Sequence, residues 1–337
     1  MTTTERNIHF GVLGASLALA VWVFGAQPRI AGPATHTDTG SRTTDERSPL
    51  SIIPAGSAFL LSVDVRALGR SPLGPLLAAR LGRSAGASKL AQACGFDPLA
   101  RLEQLALAIP SANLAAEEHP EDFGIVASGR FDAKEITRCA STAISARGGE
   151  PIQTRLGSFD SVRDRKASSG EIATKDGLLV VSGGSYLREL LDSAESATSL
   201  GGSVRDPRHA ELRRALGPAP LLATWLLGDG WFERVAGGET NAKLSPLSAL
   251  KSVSLRVNVG QAAQLLVLLD CGDDLAASRI VSLLSELRSS LDVLPLDPTL
   301  AGLAKRIAVT QAGPRLQLEL ELKQAELSPA LDALGGP

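Results

Sequence analysis

Residues that could carry chemistry are few in this chain. The four histidines are His9, His36, His119 and His209. None falls in an H-E-x-x-H pattern and no cysteine pair has zinc spacing, so no metal site is expected. His119 lies in AAEEHPED, which reads as a solvated loop. His209 lies in RDPRHAELRR, which reads as an exposed helix start. Ser248 and Lys251 match S-x-x-K, and Ser111 to Asn113 match S-x-N, two pieces of a penicillin-binding serine enzyme. They stand in reverse order here and K-T-G is absent, so Lys251 is expected only to precede a strand. The nucleophile-elbow, P-loop and dinucleotide-binding patterns are absent too. Two acidic groups, Glu117, Glu118, Glu121 and Asp122, then Asp270, Asp273 and Asp274, could bind calcium or work as acid and base. The first lacks the glycine and ligand spacing of a calcium loop, and the second stands where a helix is capped. Trp225 and Trp231, in LLATWLLGDGWFERV, could line a groove for a lipid or peptide, with core packing the favoured reading. No catalytic, metal-binding or cofactor-binding residue is expected on these grounds. An enzyme with an unfamiliar site would need a pocket that holds Lys251 or Glu233 and shifts its proton affinity.

The three cysteines are Cys94, Cys139 and Cys271. In an exported chain Cys94 and Cys139 are the pair to join, leaving Cys271 over; in a cytosolic chain all three are buried thiols. Closing that loop is worth about 4 kcal/mol in the chain-entropy estimate.

The elements that must position these residues recur in a hairpin-and-helix pattern. Leu102–Ile109 and Phe123–Gly129 read as strands, followed by a helix over Asp132–Ser145. Glu171–Thr174 and Leu178–Ser182, split by a Lys-Asp-Gly turn, precede a helix over Tyr186–Ser196. Ser252–Val259 and Gln264–Asp270 precede a long helix over Ala276–Leu291. Arg306–Thr310 and Arg315–Leu322 precede a helix over Ala325–Leu334. RLQLELEL alternates, placing Leu316, Leu318, Leu320 and Leu322 on one face. In SRIVSLLSELRSSL, Ile280, Leu283, Leu284, Leu287 and Leu291 form one apolar stripe. Each half opens with a strand and a helix, Ala58–Val65 with Leu73–Leu81, and Leu221–Leu227 with a helix around Trp231. The expected fold is α+β: two tandem β-α-β-β-α-type modules, over residues 51–200 and 201–337, with mostly antiparallel sheets and helices on one face. Residues 198–217 read as the joint.

Ahead of the body, Phe10 to Ala26 is an unbroken apolar and small-residue run, with no formal charge between Arg6 and Arg29. It reads as an uncleaved signal anchor, a single transmembrane helix within residues 1–26. No cysteine follows it, so lipid attachment there is not expected. Residues 27–50, rich in Thr, Ser, Pro and Gly, read as a flexible tether. The chain has 34 Lys+Arg against 36 Asp+Glu and only 4% aromatics, which argues against a nucleic-acid partner. With 44% hydrophobic and 21% charged residues, it is too apolar for a disordered chain and too charged for many membrane spans.

The segments IIPAGSAFLLSVDVRALGRSPLGPLL, CGFDPLARLEQLALAI and GRFDAKEITRC resemble an uncharacterised family of membrane-anchored bacterial envelope proteins with duplicated α+β bodies. The resemblance covers most of residues 50–195, and the second half matches by pattern. It implies a periplasmic location and adds to the case for pairing Cys94 with Cys139; it supplies no activity and no catalytic residues. The expected function is that of a non-enzymatic, membrane-tethered extracytoplasmic protein that binds an envelope protein partner. The alternative is a carrier of a small ligand or lipid in a cleft between the modules.

Overall fold

The computed structural model describes residues 48–72, 74–76, 85–110, 123–166, 170–183, 185–196, 206–236, 242–291 and 297–335. The expected anchor and nearly all of the tether lie outside these residues, as do His119, Ser111 to Asn113 and the first acidic group. No helix among the described residues is long and apolar enough to cross a membrane. The chain divides into two units, and the division falls inside a helix, between Ala210 and Glu211.

The first unit starts within the stretch expected to be tether. Its elements are α1 (Pro49–Ile52), β1 (Ser57–Asp64), α2 (Val65–Arg70), α3 (Ala85–Cys94), β2 (Leu102–Pro110), β3 (Gly124–Gly129) and α4 (Ala133–Ala146). There follow β4 (Pro151–Leu156), β5 (Phe159–Asp164), β6 (Glu171–Lys175), β7 (Leu178–Ser182) and α5 (Tyr186–Ser196). Local chemistry sets the boundaries. Asp132 accepts from the Lys134 and Glu135 amides and so caps α4. Asp176 and Gly177 turn β6 into β7 with φ of 40° and 78°, the left-handed pair that a two-residue hairpin of matching twist requires. The strands run antiparallel to their neighbours in the order β1-β2-β3-β7-β6-β5-β4.

A helix, α6 (Pro207–Leu216), crosses the division. The second unit continues with β8 (Leu221–Leu226), α7 (Trp231–Ala236), a 3-10 segment (Ala242–Ala249), β9 (Ser252–Val259), β10 (Ala262–Asp270) and α8 (Asp274–Ser290). It ends with α9 (Pro298–Arg306), β11 (Ala308–Ala312), β12 (Arg315–Lys323) and α10 (Gln324–Gly335). The strand order is β8-β9-β10-β12-β11, again antiparallel throughout. This is the first unit's order β1-β2-β3-β7-β6, without the added hairpin β5-β4. The fold is therefore mixed α+β with antiparallel pairing, and the same connectivity appears twice.

Helices cover both faces of each sheet, not one. In the first unit Leu187, Leu190 and Leu191 of α5 pack with Val126, Phe159, Ala173 and Val180. Ala140 and Ile144 of α4 pack with Val162 and Ile172. Neighbouring strand residues such as Ile172 and Ala173 point to opposite sides, so α4 and α5 lie on opposite faces. In the second unit Ala276, Ala277 and Ile280 of α8 pack with Leu316, Leu269 and Val253, while Leu216 of α6 packs with Leu222, Leu266 and Leu268. The one-face expectation failed because runs such as LLVVS and QLLVLLD are apolar at consecutive positions, which is what two-sided burial asks for.

Two stripe expectations are met only in part. In β12, Leu316 and Leu322 are buried, and Leu318 and Leu320 are half-buried. In α8, Ile280 and Leu283 are buried, but Leu287 is 40% exposed.

Candidate functional site

Cys94 and Cys139 are joined in a disulfide, with Cα atoms 4.2 Å apart. The bond links the C-terminal end of α3 to the buried side of α4, where Cys139 lies one turn after the buried Ile136. The third cysteine, Cys271, is a buried free thiol. Burial, with help from the nearby Asp270 and Asp273 charges, pushes its pKa up to about 11. It is neutral at physiological pH and unsuited to act as a nucleophile.

The structure gathers one group of catalytic residue types in the first unit: Ser57, Tyr186, Asp206 and His209. His209, expected on an exposed helix start, is fully buried instead. Its Nε2 lies 2.8 Å from the Ser57 carbonyl oxygen. A carbonyl can only accept, so Nε2 carries the proton and donates. The Ser57 hydroxyl lies 3.2 Å from the Tyr186 hydroxyl and donates weakly to the Pro54 carbonyl at 3.4 Å. Burial pushes the Tyr186 pKa up to about 12; the Ser57 hydrogen bond opposes this shift and the Glu189 charge adds to it. Asp206 is held below the usual carboxylate range, first by the side-chain hydrogen bond from Arg208, whose Nη2 lies 2.9 Å away.

This set has the types of a serine hydrolase without its wiring. Base catalysis needs an imidazole nitrogen that accepts from the serine hydroxyl, and here the imidazole donates to the serine backbone. The arrangement fastens α6 to β1. His209→Ala is expected to cost about 2–3 kcal/mol in a urea titration, from a lost buried hydrogen bond and a cavity. His209→Gln, which can still donate, should recover more than half of that. An exposed histidine would give a change under about 0.5 kcal/mol for both, which would sink the assignment.

The remaining sequence candidates resolve into structural roles. Ser248 donates to the Ser245 carbonyl at 2.8 Å within the 3-10 segment, and the exposed Lys251 reaches Asp229 at 3.5 Å. Asp273 caps α8 by accepting from the Ala276 amide at 2.8 Å. Asp270 accepts from the Gly272 amide at 3.1 Å and stands 3.6 Å from Arg315. No three potential metal-ligating side chains come together among the described residues. Trp225 and Trp231 pack against the α8 core, and Trp231 Nε1 donates to the Leu250 carbonyl at 3.1 Å. Glu233 is exposed on α7.

Sequence reasoning missed two features. One is the burial of His209, whose polar neighbours in α6 hide the two positions that face inward. The other is a pair of arginines on the sheet of the second unit. Arg213 of α6 has a buried guanidinium, and burial lowers its pKa to about 10. Arg256 of β9 donates from Nη1 to the Leu216 carbonyl at 2.6 Å. SVSLRVNV alternates, placing Arg256 with Ser252, Ser254 and Asn258 on a polar face that reads as solvated, so no local signal marks it.

No family model matches the chain, and no curated protein matches it. A solved structure similar to it is crystal form I of TP0453, at 11% identity over 85% of this chain and 97% of that one, with a TM-score of 0.45.

Proposed function

We propose that this protein is a non-enzymatic, membrane-tethered binding protein of the cell envelope. In this reading residues 1–26 are a single-pass anchor, the following stretch is a tether, and the two-unit body is periplasmic, where it meets an envelope protein. The disulfide between Cys94 and Cys139 carries the reading, because such bonds persist in oxidising compartments. The apolar run Phe10 to Ala26 supports it as a span of about the needed length. The bonding of Ser57 and His209 supports the non-enzymatic part, since the imidazole Nε2 donates to the serine carbonyl.

Thiol alkylation in intact and lysed cells tests the location. Cys94 and Cys139 should become alkylatable only after reduction, and Cys271 only after denaturation. Three thiols that all react under denaturing conditions before any reduction would place the body in a reducing compartment and overturn the reading.

A further inference from the structure

The two units share a strand order but end it differently. In the first, the order continues past β6 into β5 and β4; in the second, it stops at β11, the counterpart of β6. The two hairpins match in detail. Asp176 and Gly177 close Lys175 against Leu178, and Gly313 and Pro314 close Ala312 against Arg315. Beside them the Gly129 amide donates to the Gly177 carbonyl at 2.9 Å, and the Cys271 amide to the Pro314 carbonyl at 3.0 Å. Counted from these turns, Ile172 and Thr174 correspond to Val309 and Gln311. A closing pair exchanges hydrogen bonds and antiparallel pairing alternates, so these four residues turn their main-chain groups away from their own hairpin. In the first unit β5 takes them up, with Val162 opposite Ile172 and Asp160 opposite Thr174. In the second, no described strand pairs with that side of β11.

This edge lacks the usual protection. The strand AVTQA holds no charge and no proline; Ala308, Thr310, Gln311 and Ala312 are exposed and Val309 is half-buried. The first unit's end strand β4, by contrast, starts at Pro151 and carries Arg155. Helix α8 runs beside β11 in the opposite direction. Gln311 Nε2 donates to Ser278 Oγ and to the Asp274 carbonyl, both at 3.2 Å, and Arg288 Nη1 reaches the Ile307 carbonyl at 3.5 Å. In the first unit the strand added to this edge buries Val162 against Ala140 and Ile144 of α4. Counted from the capping aspartates Asp132 and Asp273, the residues of α8 in those places are Val281 and Ser285. The Ser285 hydroxyl already donates to the Val281 carbonyl at 2.9 Å.

We propose that β11 is a strand-addition site for an extended segment of an envelope protein partner, which pairs antiparallel with β11 as β5 does with β6 and sets an aliphatic side chain opposite Val309, toward α8. The choice of partner rests on the envelope reading; the open edge does not. With serine where the first unit has isoleucine, the added strand must supply more apolar volume, which favours leucine or isoleucine over valine at that place. A second copy of this chain fits the edge poorly. Pairing two β11 strands about Thr310 sets Gln311 opposite Val309. Pairing them about Val309 sets Gln311 opposite Ile307, whose amide and carbonyl are spent on Ala304 and Arg288.

Hydrogen exchange of the full chain in mild detergent, read amide by amide, tests this with two synthetic probes: a peptide of residues 157–165, GSFDSVRDR, and its Val162→Leu form. Without peptide, Val309 and Gln311 should exchange faster than Thr310 and Ala312, which bond to β12. Saturating peptide should slow Val309 and Gln311 about 10-fold or more, with a Kd below about 1 mM. The leucine form should bind about 3-fold tighter, for one more buried methylene. Val309→Pro in the protein removes an outward amide but spares the β12 ladder, and should weaken binding about 10-fold or more. The proposal fails if neither peptide protects those two amides at up to about 10 mM, ten times that Kd. It fails too if a Val162→Asp peptide protects them equally, a comparison that leaves the protein unaltered, or if sedimentation shows two copies paired through this edge. Protection by the peptide together with three reduced thiols in cells would keep the strand-addition site and remove its envelope partner. An intact disulfide with no protection would do the reverse.

Discussion

Replacing Cys94 and Cys139 together by alanine is expected to lower the stability of the first unit by about 4 kcal/mol. The two cysteines are 45 residues apart, and a cross-link over that distance removes much of the freedom of the unfolded chain. The folded state loses something as well. Helix α3, AGASKLAQAC, has few large apolar side chains with which to hold itself against α4. A single tyrosine makes the first unit's unfolding readable by itself. Tyr186 is the sole tyrosine and lies in the first unit, while Trp225 and Trp231 report on the second. In urea, the tyrosine-reported midpoint should fall in the double variant and in the reduced native protein alike. A loss below about 1 kcal/mol would show that the bond constrains little and that packing holds α3 without it.

The second large effect is at Leu190, which is wholly buried where α5 meets the sheet. Leu190→Ala should cost about 3–4 kcal/mol, a transfer loss plus a cavity. Gly124 makes the test sharper. A Cβ built there would come within 2.7 Å of Leu190 Cδ1 and 2.7 Å of Tyr186 Cε1, so α5 sits this close only because that strand position has no side chain. Gly124→Ala alone should cost about 1–3 kcal/mol through overpacking. Combined with Leu190→Ala it should cost less than the sum, by about 1 kcal/mol, since the removed leucine is one of the two atoms in the way. Strict additivity in the double-mutant cycle would mean that Tyr186 alone sets the limit at Gly124.

The elements that were legible in the sequence share strong periodicity and clear ends. Helix α5 over Tyr186–Ser196, strand β7 over Leu178–Ser182 and strand β9 over Ser252–Val259 fall where they were expected. Each joins an apolar pattern to a turn or cap that local chemistry enforces. The hairpin β4–β5 was not legible. PIQTRL lies at the end of the strand order, and Gln153, Thr154 and Arg155 are exposed, so it carries no alternation to read. Helix α2 was not expected, because VRALGR offers only Val65 and Leu68 for burial, and most of the helix expected over Leu73–Leu81 lies outside the described residues. The buried polar groups were the least legible of all. His209 and Ser57 are separated by 152 residues, and nothing in either local sequence signals the other. Long-range polar pairing depends on the register of whole elements, which a local pattern does not encode.

The shared strand order has a kinetic side. Most pairings in each sheet join strands that are close along the chain, but β3 with β7 and β10 with β12 bring together two hairpin-and-helix halves. Local hairpins close in microseconds, whereas such distant pairings wait on loop closure, so docking of the halves is the slow step in both units. Cys94 and Cys139 both lie in the earlier half of the first unit, ahead of that step. A nascent chain that ends before β6 should therefore already hold the disulfide in an oxidising compartment, and a reduced one at that length would refute this order of events. The bond locks a half-built sheet, leaving its β3 edge waiting for a partner strand that is still being synthesised.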